Sequence, residues 1–310
     1  TILGGEPFVR KDMLQIYEKH NDCAFAVFTN GYLLNDETVH RIAELGNVYP
    51  MVSIEGFEPD TDARRGPGTF RRIMDAFDRL HQAGAFYGFS SMVTRHNVET
   101  LCSDEFNDML LEKGCFIGWH FLYMPVGRDP DPSLMPTAEQ REFMRTHGAA
   151  RIRATRPLFT FDFWNDAPYV GGCIAGGKEY LHINSHGDVE PCIFTHFAVD
   201  NIKGKSLRQV LESPFFQGIK ARQPFNENLL LPCQLIDNPQ AFRQLYAQFQ
   251  PHPTHSGADS MVKELVPVLD AYAASVQRMM APGWQHDFVE RGFGHAKAAA
   301  PTAEKEKECA

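Results

Sequence analysis

From residue 1 to residue 124 the chain repeats one pattern: an apolar run of strand length, a polar or glycine-bearing junction, then a helical stretch. The runs are residues 1–3, 24–28, 49–54, 86–93 and 116–124. Continuous apolar runs of this length suit parallel strands buried on both faces. The stretches between them read as helices. Met13, Leu14, Ile16 and Tyr17 mark one over residues 8–20. Asn35 or Asp36 caps a second, which carries Val39, Ile42 and Ala43 and stops at Gly46. Thr69 caps a third, with Phe70, Ile73, Met74, Phe77 and Leu80 at helical spacing; Ser103 caps a fourth over 104–113. Strand and helix alternating at this spacing predict a parallel α/β sheet whose right-handed crossovers close it toward a barrel. The reactive face of such a barrel lies at the carboxyl ends of its strands. Those ends carry Gly5-Glu6, Thr29-Asn30-Gly31, Ser53 with Glu55-Gly56, Thr94-Arg95, and Pro125 to Gly127.

The first junction, Gly4-Gly5-Glu6-Pro7, combines three chemical features. Two glycines let backbone approach a ligand closely. A carboxylate accepts hydrogen bonds from an ammonium group. A proline suits the first turn of the helix that follows. The stretch resembles the GGEP motif of radical S-adenosylmethionine (SAM) enzymes, and the likeness extends to about residue 240. The resemblance implies an α/β fold, a partial (β/α)6 TIM-like barrel. It implies that Gly4, Gly5 and Glu6, stiffened by Pro7, receive the methionine amine of SAM. Ser53 would meet the ribose hydroxyls, and Arg64 or Arg65 would fork onto the methionine carboxylate. Asn30 and Glu55 are further pocket candidates. The family's CxxxCxxC loop, which holds the [4Fe–4S] cluster that binds SAM, is absent from the 310 residues. The expectation is therefore a chain missing its first βα unit, roughly 30 residues, and inactive by itself in SAM cleavage. No catalytic residue is assigned.

A second constellation follows. Cys173 and Cys192 flank residues 180–191, which read as a β-hairpin turning at Ser185 to Gly187. The spacing is C-x13-G-x4-C, and Cys233 comes later in Leu231-Pro232-Cys233. A hairpin brings its ends together, so both thiolates can face one site. Thiolates are soft donors suited to iron–sulfur clusters or zinc. This pattern resembles the SPASM or twitch auxiliary-cluster module of radical SAM enzymes, a small α+β unit. The resemblance implies one auxiliary [4Fe–4S] cluster on Cys173, Cys192 and Cys233. Its fourth position would be open, or filled by His196 or by substrate. Zinc on the same cysteines plus a histidine, or three buried thiols without metal, are the alternatives. Cys23, Cys102 and Cys115 read as small core residues.

The expected domains are a barrel over 1–127, a linker and substrate-side helix over 128–168, the auxiliary module over 169–245, a helical segment over 246–297 and a disordered tail over 298–310 that contains Cys309. Within the linker, Thr137 and Gln140 form a capping-box pattern. The aromatic stretch 159–166 either lines a substrate cleft or forms a seam between modules. Residues 260–281 read as an amphipathic helix.

Composition narrows the function classes. A net charge of -9 argues against a nucleic-acid partner. No apolar run approaches a membrane span. Seven widely spaced cysteines do not form a disulfide framework, so a reducing cytoplasm is expected. The thirteen histidines contain no H-E-x-x-H pattern, nothing resembles a P-loop, and no lysine stands at a strand end for Schiff-base chemistry. The function expected is that of a radical SAM oxidoreductase. A 5′-deoxyadenosyl radical would abstract hydrogen from a peptide or small-molecule substrate, with electrons from flavodoxin or ferredoxin. The rival is a non-catalytic metal-binding or electron-transfer scaffold.

Overall fold

The computed structural model describes residues 1–292. The chain divides into two compact units. One comprises residues 1–125 and 131–165, the other 126–130 and 166–292 of the described residues.

The first unit is built on one parallel sheet, in the order β1 (Phe25–Thr29), β2 (Val48–Ser53), β3 (Gly88–Val93), β4 (Ile117–Leu122) and β5 (Phe159–Asp162). The helices are α1 (Met13–Lys19), α2 (Asp36–Leu45), α3 (Glu58–Arg65), α4 (Thr69–Gln82), α5 (Val98–Cys102), α6 (Asp104–Glu112), α7 (Ala138–His147) and α8 (Ala149–Thr155). This is the α/β partial barrel expected from the alternation. Parallel partners share a face, so alternation along each strand sorts the side chains. Phe77 of α4 stacks on Tyr87 at 5.9 Å, which marks Tyr87, Phe89, Gly118 and His120 as the helix-covered face. Gly118 is required there. A β-carbon at that position would collide with the Phe89 ring, which is fully buried. The other face carries Ser53, Ser90, Trp119 and Phe161, aligned across four strands.

Three elements differ from the sequence reading. Residues 1–3 contribute only a parallel bridge, Ile2 to Val27, held by Ile2 N to the Ala26 carbonyl at 2.7 Å and Phe28 N to the Ile2 carbonyl at 3.0 Å. The helix expected over 8–20 is a 3-10 turn, Pro7–Val9, followed by α1, because Glu6 caps the turn locally. Residues 116–124 are not the last strand. The aromatic run Phe159–Asp162 pairs with β4 beyond it, and the short phenylalanine-rich segment hid its alternation.

The second unit holds β6 (His182–Ile183) and β7 (Val189–Glu190) as the predicted hairpin, and β8 (Phe197–Ala198) paired with β9 (His252–Pro253). Four helices accompany them: α9 (Leu207–Leu211), α10 (Pro214–Lys220), α11 (Pro239–Phe249) and α12 (Val266–Trp284). Val189, Val210, Phe215, Phe216, Ile219 and Leu245 form its buried cluster. Each large side chain of that kind contributes about 2 kcal/mol by leaving water. The helix expected over 260–281 begins only at Val266, after a 3-10 turn that holds Met261. The expected tail 298–310, with Cys309, lies outside the described residues. Among the described residues no helix is long and apolar enough to cross a membrane.

Candidate functional sites in the two units

In the first unit the Gly-Gly-Glu-Pro junction is held by its glutamate. Glu6 Oε1 accepts from the Phe8 amide at 3.2 Å and from Thr29 Oγ1 at 2.8 Å; Oε2 accepts from the Asn30 amide at 2.8 Å. The carboxylate thus ties the junction to the end of β1. Gly4 has φ +137°, and a β-carbon at Gly4 or Gly5 would meet only open space. Among the described residues no donor reaches the carbonyls of Gly4 or Gly5. The open acceptors at this junction are therefore the glycine carbonyls, while most of the Glu6 acceptor capacity is spent.

Asn30, Arg64 and Arg65 line one cavity of about 620 Å³ together with Tyr32 and Thr69. The two arginines are not equivalent. Arg65 bonds Glu55 Oε1 through Nε at 2.9 Å and Nη2 at 2.5 Å. Glu55 is 1% exposed and also accepts from the Met92 amide at 2.8 Å. A buried carboxylate needs such partners, so the fork of Arg65 is occupied. Arg64 is exposed. Its Nη2 sits 2.7 Å from the Met92 thioether, a weak acceptor, and its Nε is 3.5 Å from Glu55 Oε1. Ser53 lies on the inner sheet face with its hydroxyl 3.4 Å from that of Ser90.

Sequence reasoning missed Tyr32 and Thr69, whose hydroxyls bond each other at 2.7 Å, and Asp62. Thr69 is the first helical residue of α4, not its cap. The cap position is Gly68, and the Asp62 carboxylate reaches across from α3 to accept from Gly68 N at 2.6 Å and Phe70 N at 2.8 Å. The signal was present as an acid six residues before a glycine, but nothing local pairs them.

In the second unit the three cysteines share one neighbour. Tyr180 Oη is 3.0 Å from Cys192 Sγ, and burial followed by the charges of Cys192, Cys173 and Cys233 pushes its hydroxyl pKa up. Cys192 Sγ accepts from the Phe194 amide at 3.5 Å and Cys233 Sγ from the Leu235 amide at 3.4 Å. The Cys173 loop is pinned beside Cys192 by Gly176 N to the Pro191 carbonyl at 2.8 Å. Gln223 Nε2 holds the carbonyls of Cys173 and Ala175 at 3.2 and 2.9 Å. The Asp237 carboxylate accepts from the Cys233 amide at 3.0 Å and fixes that turn. Burial pushes the Cys173 thiol up to about 12 and raises Cys192 and Cys233 as well. Such thiols stay protonated until a metal displaces the proton. Among the described residues no three His, Cys, Asp or Glu side chains close on a single metal ion. Amide-to-sulfur hydrogen bonds and an all-thiol donor set fit an iron–sulfur cluster, whose potential such bonds tune. His196 turns its Nδ1 toward Glu190 Oε2 at 3.7 Å. Glu190 also takes His182 Nδ1 at 2.6 Å and the Thr254 hydroxyl.

Residues 1–103 match the Radical SAM superfamily, and residues 173–234 match SPASM, an iron–sulfur cluster-binding domain. An AdoMet-dependent heme synthase from Methanosarcina barkeri is 26% identical over 236 residues, covering 68% of this chain and 67% of the relative. The structure of Streptococcus suis SuiB bound to S-adenosylmethionine aligns with a TM-score of 0.59 at 19% identity, over 76% of this chain and 60% of SuiB. That of anSMEcpe with bound AdoMet aligns at 0.56 and 13% identity, over 89% of this chain and 83% of the other. The chain thus spans less than two thirds of SuiB. These structural likenesses speak for the fold.

Proposed function

We propose, for a chain that carries a radical SAM superfamily domain and a SPASM iron–sulfur cluster-binding domain, that the first unit seats SAM and the second holds an auxiliary [4Fe–4S] cluster on Cys173, Cys192 and Cys233. When bound, the clusters supply the electron chemistry that turns SAM into methionine and a 5′-deoxyadenosyl radical able to take hydrogen from substrate. The 310 residues hold no CxxxCxxC triplet, so their part is to bind, orient and shield. The Gly4 and Gly5 carbonyls accept the methionine ammonium. Arg64 leaves the Met92 thioether for the methionine carboxylate, a charge-assisted bond stronger than the one it gives up. Arg65 stays on Glu55 and keeps the α3 end in place. Asn30 serves the ribose side of the cavity, and Ser53, on the inner sheet face outside its lining, is the second candidate for the ribose hydroxyls. The substrate is a peptide or a small molecule, the two classes handled by the relatives: one is a heme synthase, and SuiB is also solved with a precursor peptide. A reduced flavodoxin or ferredoxin is the electron donor.

The observation that carries this reading is the continuity of the first site. Glu6 bonds the Asn30 amide, and Asn30 lines the cavity that Arg64 enters. Equilibrium dialysis with labelled SAM tests it. Arg64→Ala should weaken binding at least tenfold, the size expected for one charge-assisted hydrogen bond of about 1.5–3 kcal/mol. Unchanged binding in that variant rejects the assignment of Arg64.

A further inference from the structure

The three cysteine sulfurs of the second unit are not equivalent. Each is approached by an amide of its own turn: the Ala175 amide bears on Cys173, the Phe194 amide on Cys192 at 3.5 Å and the Leu235 amide on Cys233 at 3.4 Å. In all three turns the donor stands two residues after the cysteine, so these bonds come with the local backbone. Among the described residues, Cys192 alone of the three also takes a side-chain partner. Tyr180 Oη is 3.0 Å from its Sγ, closer than the amide of Phe194.

Backbone puts the tyrosine there. The loop from Ile174 to Tyr180 closes on itself: Tyr180 N donates to the Ile174 carbonyl at 3.3 Å, and the Tyr180 carbonyl accepts from Gly177 N at 3.0 Å. The reversal needs glycine twice. Gly176 and Gly177 adopt φ +72° and +76°, and a β-carbon on either would stand 2.5 Å from Ile219 or Leu211. Gly176 N also reaches the carbonyl of Pro191, the residue before Cys192, which ties this loop to the hairpin. In the metal-free pair either atom could be the donor. Metal binding settles the direction. A ligating cysteine is a thiolate with no proton to give, and a phenol at neutral pH keeps its own.

We propose that Tyr180 donates its O–H to the Cys192 thiolate of the loaded auxiliary cluster and thereby raises the reduction potential of that cluster. The proposal rests on the cluster reading above and names a residue that tunes it. Reduction adds one electron to the cluster and breaks no bond. The added negative charge spreads onto the sulfurs, so a donor aimed at one of them stabilises the reduced state more than the oxidised one. Burial of the thiols keeps water from screening that bond. The consequence is directional: a cluster of raised potential takes an electron more readily than it gives one up.

The test uses the 310-residue chain, reconstituted anaerobically with iron and sulfide and titrated with dithionite and redox mediators at fixed pH. With no CxxxCxxC triplet in the sequence, the auxiliary cluster titrates alone. Tyr180→Phe keeps the ring and loses the donor. It should load the same iron and sulfide as the parent and be harder to reduce. At a given potential its reduced-to-oxidised ratio should fall about tenfold, which is about 59 mV for a one-electron couple. Replacing Tyr180 by 3-fluorotyrosine, a stronger donor still protonated at neutral pH, should shift the potential the other way. Tyr169→Phe, at an exposed tyrosine of the same unit, should leave it unaltered. An unchanged or raised potential in Tyr180→Phe overturns the proposal, as does an equal fall in Tyr169→Phe. If Tyr180→Phe takes up no cluster, the fluorotyrosine chain is compared with the parent, and no rise overturns the proposal. A parent chain that takes up no iron and sulfide sinks the cluster reading and this proposal with it. A loaded parent whose potential ignores position 180 keeps the cluster and removes only the role of Tyr180.

Discussion

At the scale of single residues, the two adjacent arginines separate binding from stability. Arg65→Ala strips a buried carboxylate of its fork. It should lower the unfolding free energy by about 3 kcal/mol, the usual cost of orphaning one partner of a buried pair. Arg64→Ala, which loses a thioether contact and a longer 3.5 Å approach to Glu55, should stay within about 1 kcal/mol of the parent in the same denaturant titration. Equal losses in the two variants would contradict this division. His120 supplies a pH dependence. It is fully buried against the Phe89 ring, neither ring nitrogen has a partner, and burial takes its pKa from 6.5 down to about 4. Between those values the unfolded chain binds a proton that the folded chain refuses. Stability therefore falls as pH drops from about 6.5 to 4, by up to about 1.4 kcal/mol per pH unit. His120→Leu should remove that share of the slope in unfolding measured across the window. A slope as steep as the parent's would show that other groups carry it. Gly4, Gly5, Glu6 and the arginines stand out in the sequence as candidates, and the structure brings Asn30, Arg64 and Arg65 to one cavity. Which of the two gives its fork to Glu55 was not legible, because packing between the end of β2, α3 and β3 decides it.

At the scale of elements, caps and strand pairing show where local sequence suffices. The capping box of Thr137 and Gln140 forms as read, with both bonds present at 3.0 and 3.2 Å. So does the Asn35 cap, which accepts from Thr38 N at 2.9 Å. The start of α4 departs from the local pattern. Its orphan amides are met by Asp62, so Asp62→Ala should lower the melting temperature of the first unit, while Thr69→Ala removes no cap. Thermal unfolding of both variants decides the point, and a larger loss at Thr69 would refute the Asp62 cap. Strand β5 shows the opposite limit. The run Phe159–Asp162 alternates, yet its phenylalanines lie on the half-buried inner face and at an exposed edge. Only pairing with β4 separates such a strand from an aromatic loop.

At the scale of the whole molecule, the roles proposed for the two units can be tested separately. Anaerobic reconstitution with iron and sulfide should load about four irons per chain onto the second unit, and Cys192→Ala should abolish that loading. Zinc in elemental analysis, with no thiolate-to-iron charge-transfer band, would favour the tetrahedral alternative. Arg64→Ala should leave the iron content unchanged. The spacing of Cys173, Gly187 and Cys192 predicted the hairpin because a turn needs only its own residues: Gly187 adopts φ +91° where a β-carbon would press on Asn201. The alternation of apolar runs likewise predicted a parallel α/β fold, since strand and helix periodicities are written in neighbouring residues. Tertiary structure alone decided which groups meet across long separations. Phe28 joins Trp119, Glu55 takes the fork of Arg65 with Arg64 Nε at 3.5 Å beside it, and Tyr180 comes to sit near the three thiols. Sheet order and helix packing bring those partners together, and no period of 2 or 3.6 residues encodes them.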